Sequence, residues 1–140
     1  MTGVQTCALP ISLSNKTTLP ICSINSKRES NHYRSVYSPT VEQWLAYIKN
    51  AHLVITDSFH ALSFSIIYNK PFVVLNNGIP ERMDRQTDLL KSLGINDRCL
   101  SYEDVVNNIG SLMKLSYSEV NKRLALKQKK SIDFLKRSLQ

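Results

Sequence analysis

The stretch from His52 to Leu75 constrains this chain more than any other part of it. Leu53-Val54-Ile55-Thr56 is a short run rich in β-branched residues, the composition of a buried strand. Asp57-Ser58 ends it, and an apolar segment from Phe59 to Tyr68 follows, long enough for about three helical turns. Asn69-Lys70-Pro71 stops that helix, because proline disfavours the α conformation in the residue before it. Phe72-Val73-Val74-Leu75 then reads as a second buried strand. Strand, helix and strand in so short a span are the signature of a parallel sheet with a right-handed crossover.

The flanks extend an α/β pattern. Upstream, Ser38-Pro39 reads as a helix start, with Ser as N-cap and Pro at the first helical position. Val41, Trp44, Leu45 and Ile48 follow on one face. Downstream, Asn76 to Pro80 is a loop, and Glu81 to Leu93 a helix closed by Gly94. Cys99-Leu100 is a candidate last strand. Ser101 before Asp104, and Ser116 before Glu119, have capping-box spacing and predict helices over about 102–113 and 117–138. By contrast, residues 1–35 are rich in Ser, Thr and Asn without helical or strand period, and are expected to be a poorly structured lead-in. The opening MTGVQTCALPIS resembles the translation of a common sequencing-library adapter from a GTG start. Residues 1–12 are therefore a candidate artefact, with a native leader as the alternative.

Composition narrows the function classes. Hydrophobic residues make up 42% of 140, enough for one modest core, which excludes wholesale disorder. No apolar run approaches the ~18 residues of a membrane span, and Cys7, Cys22 and Cys99 are too few and too scattered for a disulfide framework or zinc site. A cytoplasmic protein is the expectation. The net charge of +7 divides into +3 over residues 1–40, zero over 41–100 and +4 over 101–140. Lys122 to Arg137 holds Phe134 as its single aromatic, so nucleic-acid binding is not expected. Those cations read as the solvated face of an amphipathic helix, and peripheral contact with a membrane surface is the weaker alternative.

In open parallel sheets, ligands bind at the carboxyl ends of the strands. Thr56-Asp57-Ser58-Phe59-His60 is such a strand-to-helix turn, with amides that attract phosphate or carboxylate and one imidazole in the first helical turn. Arg82 and Arg85 follow the next strand end and suit an anion. Asp57 and Ser58 serve equally as helix caps. Phe59 and Phe64 are expected in the core, Trp44 as a packing anchor, and His32 and His52 as non-catalytic. No Ser-His-Asp triad is evident.

These residues carry a resemblance. Glu42-Gln43-Trp44-Leu45, then Thr56-Asp57-Ser58-Phe59-His60, then Phe64-Ser65-Ile66 leading to Asn69-Lys70-Pro71-Phe72, resemble the polysaccharide pyruvyl transferase family. Arg82, Arg85, Leu89-Leu90, Leu93-Gly94 and Asp97-Arg98 continue the pattern, so the resemblance spans about residues 36–138. Ala61 stands where the family usually has Gly.

The resemblance implies a Rossmann-like parallel sheet with flanking helices, the C-terminal half of a two-lobed glycosyltransferase-B-type fold. Residues 36–140 would form that lobe, with the N-terminal lobe a missing partner. It implies transfer of a pyruvyl group from phosphoenolpyruvate to a hydroxyl of a saccharide or lipid-linked oligosaccharide, in surface-polysaccharide synthesis. His60 matches the family's active-site histidine. Asp57, Ser58 and the Phe59 amide would shape the donor site, and Arg82 or Arg85 would hold a donor charge. The chemistry calls for no metal and no cofactor beyond the donor substrate. A nucleotide-sugar glycosyltransferase lobe and a non-catalytic binding lobe are the alternatives.

Overall fold

A computed structural model describes residues 12–24 and 31–140. Most of the adapter-like segment, Cys7 included, lies outside the described residues. The elements in chain order are β1 (Cys22–Ile24), β2 (Arg34–Val36), α1 (Val41–Asn50), β3 (Val54–Thr56), α2 (Phe59–Ile67), β4 (Phe72–Leu75), α3 (Pro80–Leu93), a 3-10 turn (Asn96–Arg98), β5 (Cys99–Leu100), α4 (Tyr102–Leu112) and α5 (Ser118–Ser138). The chain is thus mixed α/β, with parallel sheets and flanking helices.

The main sheet has the order β3-β4-β5, all parallel, with Thr56 beside Val74 and Leu75 beside Leu100. Side chains alternate across it as strand geometry requires. Phe72 and Val74 face a core completed by Leu62 and Ile66 of α2, Met83, Leu90 and Leu93 of α3, and Val120 of α5. Val73, between them, faces a second core with Leu13 and with Val105, Ile109 and Leu112 of α4. Phe72, Val73 and Val74 are all 0% exposed, so β4 is buried on both faces, as its unbroken apolar run predicts. Helices α2 and α3 lie on the same face, which is what two successive crossovers of one hand require when the strands advance in one direction.

The lead-in differs from expectation. Leu13 is buried under α4, the Ser12 hydroxyl lies 2.6 Å from that of Tyr102, and Lys16 donates to the Asn107 side chain at 3.4 Å. β1 and β2 pair in parallel, Cys22 beside Arg34 and Ile24 beside Val36. Strands of three residues are too short to show a period, which is why the sequence conceals them.

Helix starts also correct two expectations. α1 is capped by Thr40, not Ser38: Thr40 Oγ1 accepts from the Gln43 amide at 3.3 Å, and the Thr40 amide donates to Gln43 Oε1 at 3.0 Å. Ser38 instead sits at φ 49°, outside any helix. Ser101 caps α4 as expected, accepting from the Asp104 amide at 3.2 Å. Ser116 does not cap α5, which starts after Tyr117 without a side-chain cap. Its position is set by the Tyr117 hydroxyl, which donates to the Lys70 carbonyl at 2.6 Å and the Ser65 carbonyl at 3.2 Å. Glu119 pairs with Arg123 at 3.3 Å rather than closing a box.

Arg98 is buried, 7% exposed, and ties off α4. Its guanidinium donates to the carbonyls of Leu112, at 2.9 Å, and of Lys114. A cation satisfying carbonyls at a helix C-terminus is favoured by the helix dipole as well as by the hydrogen bonds. Gly94 ends α3 at φ 73°, the left-handed cap that glycine adopts without strain, and a Cβ there would strike the Arg123 side chain. Among the described residues, no helix is long and apolar enough to cross a membrane.

Candidate functional site

The carboxyl ends of β3, β4 and β5 form one edge, and the Asn76 amide, donating to the Leu100 carbonyl at 2.9 Å, closes its far side. The turn after β3 is held from three directions. The Ser58 amide donates to Thr56 Oγ1 at 3.0 Å. Ser58 Oγ, as N-cap of α2, accepts from the Ala61 amide at 3.4 Å. Gln86 of α3 donates Nε2 to the Asp57 carbonyl at 2.9 Å. Ser58 is therefore the cap, and the Asp57 carboxylate stays exposed with no hydrogen bond or ion pair among the described residues. The amides of Phe59 and His60, first in the helix, have no intrahelical acceptor and are left to whatever anion approaches.

The rings are arranged in a row. The Arg85 guanidinium lies 5.1 Å above the Phe59 centroid, and Phe59 meets His60 edge-on at 6.3 Å and 78°. Phe59 is thus half-buried at the site rather than in the core, shared between a cation and an imidazole. His60 also borders an open pocket of about 300 Å³ lined by Pro39, Thr40, Val41, Trp44 and Phe64. Trp44 meets Phe64 edge-on at 5.7 Å, which packs α1 against α2 but leaves both rings partly exposed. Phe64 too is a pocket wall and not a core residue.

The turn residues and Arg85 are thereby brought together. Arg82 lies one turn earlier on α3, exposed, with its guanidinium making no hydrogen bond or ion pair among the described residues. His52 is exposed at the start of the strand–helix–strand unit, away from the carboxyl edge. Gln86 is the residue that sequence reasoning missed. It is 4% exposed, and its Oε1 is buried without a hydrogen-bond partner among the described residues. The signal was present: Met83, Gln86, Leu90 and Leu93 share the buried stripe of α3, so one polar residue stands on an apolar face.

The model of the polysaccharide pyruvyl transferase family matches residues 5–78, just over half of the 140-residue chain and the whole of α1, β3, the turn, α2 and β4. The chain belongs to the polysaccharide pyruvyl transferase family. Neither a curated protein nor a solved structure matches it. The family match contains Asp57, Ser58, Phe59 and His60 and ends before Arg82 and Arg85. It also begins earlier than the motifs, inside the opening segment. Membership points to a transferase of polysaccharide biosynthesis, with a pyruvyl donor and a saccharide acceptor.

Proposed function

We propose that this chain carries the donor-binding edge of an enzyme that transfers a pyruvyl group from phosphoenolpyruvate to sugar hydroxyls of a surface polysaccharide. The observation that carries the reading is the approach of Arg85 to Phe59 and His60, whose turn falls within the family match. Phosphoenolpyruvate has a phosphate and a carboxylate. The free amides of Phe59 and His60 suit one, and Arg85, with Arg82 a turn away, suits the other. Asp57 and Ser58 contribute by shaping the turn, Asp57 through its backbone carbonyl and Ser58 as the cap.

In the reaction, a sugar oxygen adds to the enol carbon that bears phosphate, and the terminal methylene takes up a proton to become methyl. A second sugar hydroxyl then displaces the phosphate, closing a cyclic ketal and releasing inorganic phosphate with the remaining proton. His60 takes the proton from the first attacking hydroxyl and returns it to the methylene carbon. In the two-lobed arrangement implied by the resemblance, a further lobe supplies the rest of the acceptor site, and the chain alone turns over slowly or not at all. The second reading, a non-catalytic binding lobe, is favoured by one observation: among the described residues the His60 imidazole has no hydrogen-bond partner to orient it.

The test is His60→Ala in a longer family member that carries the same turn, assayed as phosphate released from phosphoenolpyruvate in the presence of acceptor. Loss of a general acid–base is expected to lower kcat by about 100-fold or more. Undiminished turnover would sink the assignment.

A further inference from the structure

The pocket beside His60 differs in kind from the strand-end turn that carries that residue. Its walls are Pro39, Val41, Trp44 and Phe64, with the Thr40 hydroxyl and the His60 imidazole as polar groups. Among the described residues, no Lys or Arg lines it. The start of α1, which borders it, is already satisfied by its own residues. Thr40 and Gln43 close a capping box. The Glu42 carboxyl is held below its usual range by its own backbone amide and then by the Thr40 hydroxyl. The pocket therefore disfavours phosphoenolpyruvate and favours a neutral ligand with one apolar face and a few hydroxyls. Its volume of about 300 Å³ stands at the small end of ligand sites, the scale of one sugar ring.

We infer that the pocket between the start of α1 and His60 is the saccharide-acceptor subsite, taking a single pyranose ring against Trp44 and Phe64. The inference rests on the transferase reading, which requires an acceptor within reach of the same imidazole that serves the donor. A pyranose presents axial C–H groups on one face and hydroxyls at its rim. The C–H face suits the partly exposed indole and phenyl rings. The rim then places hydroxyls toward Thr40 and His60. His60 stands at the boundary, with the charged donor on the Phe59–Arg85 side and the neutral acceptor on the Trp44 side. That division is what a proton transfer between the two substrates needs.

Trp44 is the single tryptophan of the chain, so its fluorescence reads the pocket directly. The intact chain is titrated with methyl glycosides of glucose, galactose and mannose, and separately with phosphoenolpyruvate, whose binding is followed by phosphorus NMR. The expected result is a saturable change in Trp44 emission with at least one glycoside that phosphoenolpyruvate neither causes nor competes away. By saturation-transfer NMR, Trp44→Ala weakens that glycoside about 2–10-fold while Trp44→Phe retains most of the binding. Val41→Gln, at a residue 69% exposed and so without consequence for folding, weakens it as well. Phosphoenolpyruvate binding with no glycoside response overturns the subsite and leaves the donor reading standing. Glycoside binding without phosphoenolpyruvate binding supports the subsite and counts against the donor reading. A Trp44 response to phosphoenolpyruvate alone assigns the pocket to the donor and overturns the subsite, as does no response to either.

Discussion

Tyr117→Phe tests how α5 is joined to the sheet. The Tyr117 hydroxyl donates to the Lys70 carbonyl at 2.6 Å and to the Ser65 carbonyl at 3.2 Å. The Ser65 carbonyl keeps a second donor, the Lys70 amide at 2.8 Å, but the Lys70 carbonyl has no other donor among the described residues. Removing the hydroxyl therefore strands one carbonyl in a part-buried position while leaving ring packing intact. The expected cost at pH 7 is about 1–3 kcal/mol, a lost hydrogen bond plus an unsatisfied acceptor. Burial raises the Tyr117 pKa well above its usual 10.0, with the nearby Arg98 charge opposing it. A raised pKa favours the neutral form in the folded state. Its contribution is fully present below the unfolded pKa of 10.0 and is lost as pH rises toward the folded value. The wild-type advantage over Tyr117→Phe should shrink by at most about 1.4 kcal/mol per pH unit above 10, less after solvent screening of a partly exposed ring. The assay is urea unfolding followed by circular dichroism at pH 7, 10 and 11. Equal midpoints at pH 7, or a difference that does not narrow by pH 11, would refute the reasoning.

Three further outcomes follow from the geometry. Gln86→Leu removes both the clamp on Asp57 and a buried orphan oxygen, so stability should change by less than about 1 kcal/mol while phosphoenolpyruvate affinity falls; Gln86→Glu, which sets a carboxylate against the Asp57 carbonyl, should cost both, as read by urea unfolding and phosphorus NMR. Arg98→Met strands the carbonyls of Leu112 and Lys114 and should cost about 3 kcal/mol in urea unfolding, with Arg98→Lys recovering only part because one ammonium does not span both. Ser101→Ala should cost about 1 kcal/mol and Ser116→Ala less than about 0.5, a contrast that equal losses would contradict.

The strand–helix–strand unit was legible because its signals were local and agreed. The β-branched run before Asp57, the Asn69-Lys70-Pro71 stop and the unbroken Phe72–Leu75 run each point to the same parallel pair, and β3, α2 and β4 lie there. Gly94 and Ser101 were legible for the same reason, since each carries its own backbone rule. Ser38-Pro39 misled because it competed with a second, equally local signal, and Ser116 because it competed with a tertiary one. Thr40 with Gln43 won at α1, and a long-range hydrogen bond from Tyr117 won at α5. At the site, the turn and its imidazole could be found by topology alone. The partnership of Phe59 with Arg85, the clamp from Gln86 and the exposure of Trp44 and Phe64 depend on how α1 and α3 lean against α2, a tertiary fact with no short-range signature.

β4 has a kinetic consequence for everything attached to it. Its alternate side chains belong to two different cores, so neither core can open without disturbing the wall it shares with the other. The two halves should exchange their amide hydrogens as one cooperative unit. β3, with β4 as its strand neighbour, inherits that slow exchange, and so does the turn that β3 delivers at Thr56. A turn anchored in this way keeps its geometry for as long as the domain itself survives, and is spared the faster, independent openings of an ordinary surface loop.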